Sequence, residues 1–256
     1  MLIDAHCHLN DEQFAEDLAQ VITRAHDAGV TRLINAGTNI ELSRAAIELA
    51  DRYKSVYAVV GIHPEHANIF DEEKLQAIRD LAAHRKVVGV GEIGLDFYWK
   101  ENPPREMQER ALIAQLDLAA ELNKPVVIHD REAHDALMTI LRERHGKPRG
   151  ILHCFSGDLG MAREAIDLGY LISFAGNLTF KNAARLQEIA KELPLDRIVI
   201  ETDAPYLSPL RGKRNESANV ARVAQKIAEL KNIAYAVVEQ ATTQNSEMLF
   251  GLRIDK

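Results

Sequence analysis

Five of the ten histidines in the chain follow short apolar runs that we predict to be β-strands. They are His6, His8, His63, His129 and His153. The other five fall in predicted helices or loops. Unpaired polar groups are expensive to bury, and neutral imidazole is a common metal ligand. Histidines gathered at strand ends therefore favour a metal site over side chains that only pack in a core.

The spacing of His6 and His8 directs both imidazoles to the same side of one strand, because side chains two residues apart on an extended strand share a face. Glu201 and Asp203 repeat this spacing at the end of another predicted strand. Imidazole together with carboxylate suits Zn, Mn, Fe or Mg, and the sequence does not choose among them. If the first and last strands are neighbours, the two pairs can converge on one divalent ion.

Glu92 follows a further predicted strand and adds a third carboxylate. The combined histidines and carboxylates are too many for one ion, so we predict a two-metal site with Glu92 as the bridging ligand. Such a pair of ions activates a water molecule and stabilises the attacking and leaving oxygens in hydrolysis. His63 and Glu201 fit three roles equally well: direct ligand, substrate contact, or support of a ligand. We expect Asp4 to bond the backbone or a ligand histidine.

Basic residues near these strand ends are the expected substrate contacts. Arg131 lies two residues after His129, so it faces the same way and could hold an anionic group through two N–H donors. Residues 211–214, Arg-Gly-Lys-Arg, are the densest basic run, and loops at this position in α/β barrels often bind phosphate. Arg211 is therefore a candidate substrate contact. The aromatic segment 97–99, Phe-Tyr-Trp, could stack on a base or form a small core of its own.

Eight short, β-branched apolar runs alternate with stretches of helical periodicity. The runs begin near Leu2, Thr31, Val56, Val87, Val126, Ile151, Tyr170 and Ile198. Strands that alternate with helices pair in parallel through right-handed crossovers. We predict a single α/β domain over residues 1–256, a (β/α)8 TIM barrel with an extra C-terminal helix over 234–250. An open doubly wound sheet is the alternative.

Apolar residues at helical spacing mark two of the intervening helices. The first stripe consists of Phe14, Leu18, Val21, Ile22 and Ala25. The second follows two prolines, a favourable helix start, and consists of Met107, Ala111, Ala114, Leu118 and Leu122. Each set forms one apolar stripe along its predicted helix.

Residues 89–94 match the G-x-G-x-x-G pattern of dinucleotide-binding sites. That pattern must open a helix whose N-terminus binds pyrophosphate, but the next helix signal comes only at Pro103. We therefore expect these glycines to let the backbone crowd the metal site instead.

The composition is that of a globular chain with a sizeable core: 46% of the 256 residues are hydrophobic and 27% are charged. The formal net charge of −7 disfavours a protein that coats duplex DNA, because such binding relies on neutralising phosphates. An enzyme that binds only the end of a strand is compatible with this negative net charge, since bound cations supply local positive charge.

No apolar run approaches the ~20 residues of a membrane span, and Asp4 stands where a signal peptide would be basic. We expect a cytoplasmic monomer without a membrane or an obligate protein partner. Cys7 and Cys154 are too few for a disulfide framework, and we expect both to be small packing residues that face away from the metal site.

The motifs and their order resemble the TatD family of metal-dependent hydrolases, within the amidohydrolase-like barrel superfamily. The matching segments are DAHCHL (4–9), GIHP (61–64), GEIGLDF (91–97), KPVVIHDR (124–131), HCFSG (153–157), ETDAPYL (201–207) and RGKRNE (211–216). Together they extend from residue 1 to about residue 250.

This resemblance implies a TIM-like barrel with two divalent metal ions, Mg, Mn or Zn. Position by position, it implies one ion on His6, His8 and Asp203, a second on His129 and His153, and Glu92 as the bridge. It also implies a deoxyribonuclease, in several members a 3′–5′ exonuclease on single-stranded or damaged DNA, with Glu92 and Asp203 as catalytic residues. The alternative is hydrolysis of a small ester, lactone, amide, aminoacyl ester or phosphoester on the same metals.

Overall fold

The computed structural model describes residues 1–252 and contains eight parallel strands in chain order. They are β1 Leu2–Cys7, β2 Val30–Ala36, β3 Val56–Val60, β4 Val87–Asp96, β5 Val126–Arg131, β6 Gly150–Leu152, β7 Leu171–Phe174 and β8 Ile198–Ile200. The chain after β8 returns to β1 through two backbone hydrogen bonds, from Asp203 N–H to His6 O (3.1 Å) and from His8 N–H to Ala204 O (2.8 Å). The strands therefore form a nearly closed barrel, which confirms the predicted (β/α)8 fold.

The helices alternate with the strands and cover the outside of the barrel. In residues 1–252 they are α1 Leu18–Asp27, α2 Ile40–Arg52, α3 Glu72–Ala82, α4 Arg105–Glu121, α5 His134–Glu143, α6 Leu159–Asp167, α7 Ala184–Glu192, α8 Val220–Lys231 and α9 Tyr235–Phe250. Among these described helices, none is both long and apolar enough to cross a membrane. The predicted C-terminal helix is confirmed as α9.

All eight predicted strand starts lie within one residue of the observed ones. The helical stripes are less exact. Phe14 is buried but lies in a short 3-10 helix, Glu12–Phe14, before α1. Met107 of the second stripe is exposed, whereas Ala111 and Leu118 of the same stripe are buried. Met107 therefore lies outside the buried part of that stripe.

The apolar core has two layers, one between the barrel and the helices and one inside the barrel. The inner layer includes Ile3, Val127 and Val199, and it is closed by Phe250 and Leu252 at the end of α9. Because α9 also packs on the 3-10 turn just before β8, it covers the end of the barrel where the strands begin. The other end, where the strands stop, is left open for the polar side chains.

Asp4 joins the last strand to the first. Its Oδ1 accepts a hydrogen bond from Thr202 N–H (2.8 Å) and its Oδ2 accepts one from the Thr202 hydroxyl (2.6 Å). Burial raises the pKa of Asp4 to about 7, although the hydrogen bonds from Thr202 act in the opposite direction. The expected backbone bond is thus observed, and Asp4 supports the closure of the barrel near the histidines.

Candidate metal centre

Two irregularities in the strands position the first polar side chains. Three residue steps of β1, from Asp4 to Cys7, oppose two steps of β2, and the extra residue shifts the side-chain alternation just where His6 lies. β4 has the same irregularity, because the three residue steps from Val90 to Ile93 lie opposite only two residue steps of β5. Glu92 lies in this second irregularity. Bulges of this kind are frequent beside active sites because they redirect a side chain.

Glycines let β4 approach β5 closely at this level. Gly94 has a φ of +149°, and a Cβ atom there would collide with the backbone carbonyl of His129. Gly91 has a φ of +159°, and its Cβ would lie 2.7 Å from the Cβ of Val127. These glycines therefore let β4 lie close to β5 at the level of Glu92 and His129.

Glu92 divides the surrounding side chains into two groups, one on each carboxylate oxygen. On the first side, Glu92 Oε2 lies 3.4 Å from His6 Nε2 and 3.5 Å from His8 Nε2. Asp203 Oδ1 lies 3.6 Å and 3.4 Å from the same two nitrogens, which are themselves 3.1 Å apart. The ligand atoms of His6, His8 and Asp203 therefore lie within 4.8 Å of one another, and Glu92 Oε2 faces the two histidines of this group.

The second side of Glu92 faces the ends of the next two strands. Glu92 Oε1 lies 2.9 Å from both His129 Nδ1 and His153 Nε2, which are 3.2 Å apart. His63 Nε2 also faces Oε1, at 3.4 Å. His63 therefore stands with this second group, beside Glu92 and His129, and not with His8.

The donor atoms fit divalent cations in type and in spacing. A tetrahedral ion with bonds of about 2.0–2.1 Å holds its ligands about 3.4 Å apart, which is close to the separations around Glu92 Oε2. Imidazole and carboxylate without thiolate suit Zn, Mn, Fe or Mg. In residues 1–252, moreover, the ion-pair partners of Glu92 and Asp203 are all histidines. No lysine or arginine of the described residues thus pairs with these two carboxylates. A bound cation would balance their negative charge.

The electrostatics of the group reflect this concentration of acids. Burial would raise the pKa of Glu92, which is only 3% exposed, but the charges of His153, His63 and His6 outweigh it and hold that pKa well below its usual range. Burial likewise disfavours a charge on His129, yet the carboxylates of Asp96 and Glu92 raise its pKa to about 9. The site therefore keeps Glu92 ionised and attracts positive charge.

Two further carboxylates stand behind the second group of ligands. Asp96 Oδ2 lies 3.3 Å from His129 Nε2, and Glu201 Oε1 lies 3.3 Å from His153 Nδ1. A carboxylate on the far nitrogen of a ligating imidazole fixes its orientation and tautomer. Glu201 is fully buried, so a substrate contact, one of its predicted roles, does not agree with its position. The sequence did not indicate a role for Asp96, although Asp96 directly precedes the aromatic segment 97–99.

Two buried glutamines of α4 fasten the loops around the centre. Gln115 Oε1 accepts from Ile62 N–H (2.7 Å) and Gln115 Nε2 donates to Ile62 O (3.0 Å). Gln108 makes the same pair of bonds to the backbone of Asp96, at 2.8 and 3.0 Å. Gln115 thus holds Ile62, the residue before His63. Gln108 holds Asp96, whose carboxylate contacts His129. Neither was predicted, because a glutamine in an amphipathic helix is ordinarily read as an exposed position.

The centre opens into a cavity of about 680 Å³. Its walls include Trp99 and seven of the predicted site residues, which are His8, His63, Glu92, His129, Arg131, His153 and Asp203. A volume of this order is typical of small-ligand sites.

The basic run of residues 211–214 does not line the cavity. Arg211 is exposed and does not line the cavity, and Arg214 pairs with Asp17 and Glu216 instead. Cys154, expected to face away from the site, lines the cavity. That expectation assumed continuous strand geometry, whereas the chain turns at Cys154 with a φ of +43°.

Comparisons with known proteins find relatives along almost the whole chain. A family model described as "TatD related DNase" matches residues 3–251. The chain is 43% identical over 253 residues to an "Uncharacterized metal-dependent hydrolase YabD" of Bacillus subtilis, covering 98% of this chain and 99% of that one. It is 37% identical over 259 residues to the "3'-5' ssDNA/RNA exonuclease TatD" of Escherichia coli K12, covering 98% and 99%. The crystal structure of YjjV, a TatD homologue from Escherichia coli K12, superimposes with a TM-score of 0.92 at 34% identity and covers 98% of both chains.

Proposed function

Because this chain belongs to the TatD related DNase family and is a metal-dependent hydrolase of phosphodiester bonds, we propose that it removes nucleotides from the 3′ end of single-stranded DNA. Glu92 carries this proposal, since its two oxygens face two separate groups of ligand atoms. Such a bridging carboxylate is the arrangement expected for two cations that act on one phosphodiester. The polarity and the single-stranded substrate are those named for the Escherichia coli relative.

We assign the two cations to the two sides of Glu92. His6, His8 and Asp203 would hold the first, and His129 and His153 would hold the second. When bound, Mg, Mn or Zn ions at these positions would activate a water molecule and neutralise charge on the phosphate oxygens. His63 faces the second group through its Nε2, where it can contact a phosphate oxygen or complete the ligand set.

Asp203 is the proposed proton acceptor. Its side chain is 15% exposed, compared with 3% for Glu92, so Asp203 is the carboxylate of the pair that faces the open cavity. Burial would raise its pKa, but the hydrogen bond from His8 and the charges of the neighbouring histidines lower it. Asp203 is therefore ionised and placed to orient the attacking water and to take its proton.

Arg131 is the proposed anchor for the substrate phosphate. It lies at the end of β5, lines the cavity with His129, and presents a guanidinium that can bind two phosphate oxygens at once. A single concave cavity with one such anchor suits the end of a strand. The net charge of −7 agrees with this, because an enzyme that grips a few nucleotides does not need the basic surface of a duplex-binding protein.

The test is cleavage of one single-stranded DNA oligonucleotide labelled either at its 5′ or at its 3′ end. The protein is stripped with a chelator and then supplied with Mg, Mn or Zn. We expect metal-dependent cleavage that shortens the 5′-labelled strand step by step and releases the 3′ label at once as a mononucleotide.

Two glutamate variants separate this activity from a contaminating nuclease. We expect Glu92→Gln to lose at least about 100-fold in rate, the scale seen when a group that stabilises developing charge is removed. Glu188→Gln, an exposed position on α7, serves as the matched control and should retain wild-type rates. Cleavage that persists in Glu92→Gln, or hydrolysis of small esters with no attack on DNA, would overturn the proposal.

A further inference from the structure

The aromatic segment after β4 is divided between the fold and the cavity. Phe97 packs against the core, and the Arg105 guanidinium lies 4.3 Å from the centre of its ring. Tyr98 and Trp99 remain 50% and 47% exposed, with their rings edge to face at 4.8 Å. Phe97 therefore stabilises the loop, whereas the next two rings expose large apolar surfaces beside the cavity.

Arg131 joins these two rings into one surface. Its guanidinium lies 4.1 Å from the centre of the Tyr98 ring and 5.2 Å from that of Trp99. Within residues 1–252, no ion pair links Arg131 to a carboxylate. A guanidinium stacked on a ring keeps its edge N–H groups available for an anion. We refer to Tyr98, Trp99 and Arg131 as the aromatic platform.

The platform is fixed relative to the metal centre through one side chain. Asp96 Oδ1 accepts hydrogen bonds from the backbone N–H groups of Tyr98 (2.9 Å) and Trp99 (3.4 Å). Its second oxygen, Oδ2, is the one that faces His129 Nε2. Because Trp99 and Arg131 also line the cavity that contains Glu92, a ligand can reach the platform and the centre together.

We propose that the aromatic platform binds the unpaired base of a nucleotide next to the phosphodiester that is cleaved. A flat, uncharged ring joined to an anion matches exposed aromatic rings combined with a free guanidinium, because the ring stacks while the anion meets the guanidinium. A cationic ligand would be repelled by Arg131. This inference rests on the proposed nuclease function, and it specifies that the enzyme acts on strand ends whose bases are free to stack.

The chain offers a direct test, because Trp99 is its only tryptophan. Tryptophan fluorescence of the full-length, metal-loaded protein therefore reports on the platform alone. The probe is a short single-stranded oligonucleotide with a slowly cleaved phosphorothioate at its last linkage. A second oligonucleotide is identical but lacks the bases of its last two nucleotides. We expect the complete strand to quench the fluorescence and the abasic strand to do so only at roughly 5- to 150-fold higher concentration, as follows from the stacking energy of one base.

Cleavage kinetics with ordinary linkages provide the second readout. We expect the ratio of kcat/KM for the complete strand to that for the abasic strand to fall toward one in Trp99→Ala. Trp99→Phe, which keeps an aromatic ring, should retain most of that preference. The control is Met248→Ala, a 72% exposed position on α9, which should leave the ratio as in the wild type.

The outcomes distinguish this inference from the proposed function. Quenching that requires the bases, in a protein that does not cleave DNA, supports the platform and removes the nuclease proposal. Cleavage with no preference for the complete strand, and with quenching that does not require the bases, overturns the platform while the nuclease proposal stands. Equal losses of preference in Trp99→Ala and Met248→Ala also overturn it.

Discussion

Asp96 and His129 form a contact that links the metal centre to the loop above it: Asp96 Oδ2 lies 3.3 Å from His129 Nε2. The opposite nitrogen of the same imidazole, Nδ1, faces Glu92. The ring of His129 is thus held between two carboxylates. Since the remaining oxygen of Asp96 accepts a hydrogen bond from the loop backbone, one buried acid contacts both the proposed metal ligand His129 and the loop that we propose binds substrate.

We expect Asp96→Asn to weaken binding of the ion nearest His129. The amide keeps an acceptor for the loop N–H groups but removes the negative charge that orients the imidazole. Loss of such a partner typically costs about 10- to 100-fold in metal affinity or activity. Competition with a coloured chelator measures the affinity, with Asp167→Asn, an exposed position at the end of α6, as control. Equal affinities in the two variants would show that Asp96 does not support His129.

Glu201 is expected to stabilise the protein even without metal. Its carboxylate accepts hydrogen bonds from Cys154 N–H and from the Ser173 hydroxyl, and it faces His153 Nδ1. Glu201→Ala leaves these buried donors without an acceptor, which costs about 1–3 kcal/mol of unfolding free energy.

Thermal unfolding of the metal-free protein measures this loss, with a decrease in Tm of about 2–4 °C for each kcal/mol in a chain of this size. Glu201→Gln retains one acceptor oxygen and should lose less. The exposed Glu188→Ala is the control. A Tm for Glu201→Ala equal to that of the control would contradict the role assigned to Glu201.

The strands and most of the polar residues that end them could be predicted because each depends on local sequence. β-branched residues are enriched in strands, and the ends of parallel strands in a barrel meet on one face. His6 and Glu92 were therefore found even though both lie in strand irregularities that the sequence does not reveal.

The remainder depends on contacts that only the folded chain creates. Gln108 and Gln115 lie on the buried face of α4, where polar residues weaken the apolar periodicity by which a helix is recognised. Arg214 belongs to a run that looks like a phosphate site, but its partner Asp17 lies 197 residues away. Cys154 follows a strand yet has a positive φ, so strand alternation misplaces it.

Gln115 is predicted to hold the loop that carries His63. Replacing it with Leu leaves the N–H and the C=O of Ile62 without their partners in a buried position, at a cost of about 1–3 kcal/mol. Urea denaturation of Gln115→Leu and of Gln76→Leu, an exposed position on α3, provides the comparison. Similar midpoints in the two variants would show that the amide of Gln115 is not needed to fasten the loop.

The division of ligands by Glu92 predicts two ions per chain that can be lost separately. His8 contacts only the Oε2 side and His129 only the Oε1 side, so His8→Ala and His129→Ala should each retain one ion. Glu92→Gln should weaken both, because its neutral amide offers one oxygen where the carboxylate offers two.

Elemental analysis after dialysis against Zn or Mn counts the ions, and a rise in Tm on adding metal shows that those counted are bound to the folded protein. His26→Ala, an exposed position on α1, is the matched control and should retain two ions. Loss of both ions in His8→Ala would mean that the two sides bind as one unit. Two ions in Glu92→Gln, at unchanged affinity, would mean that Glu92 does not bridge them.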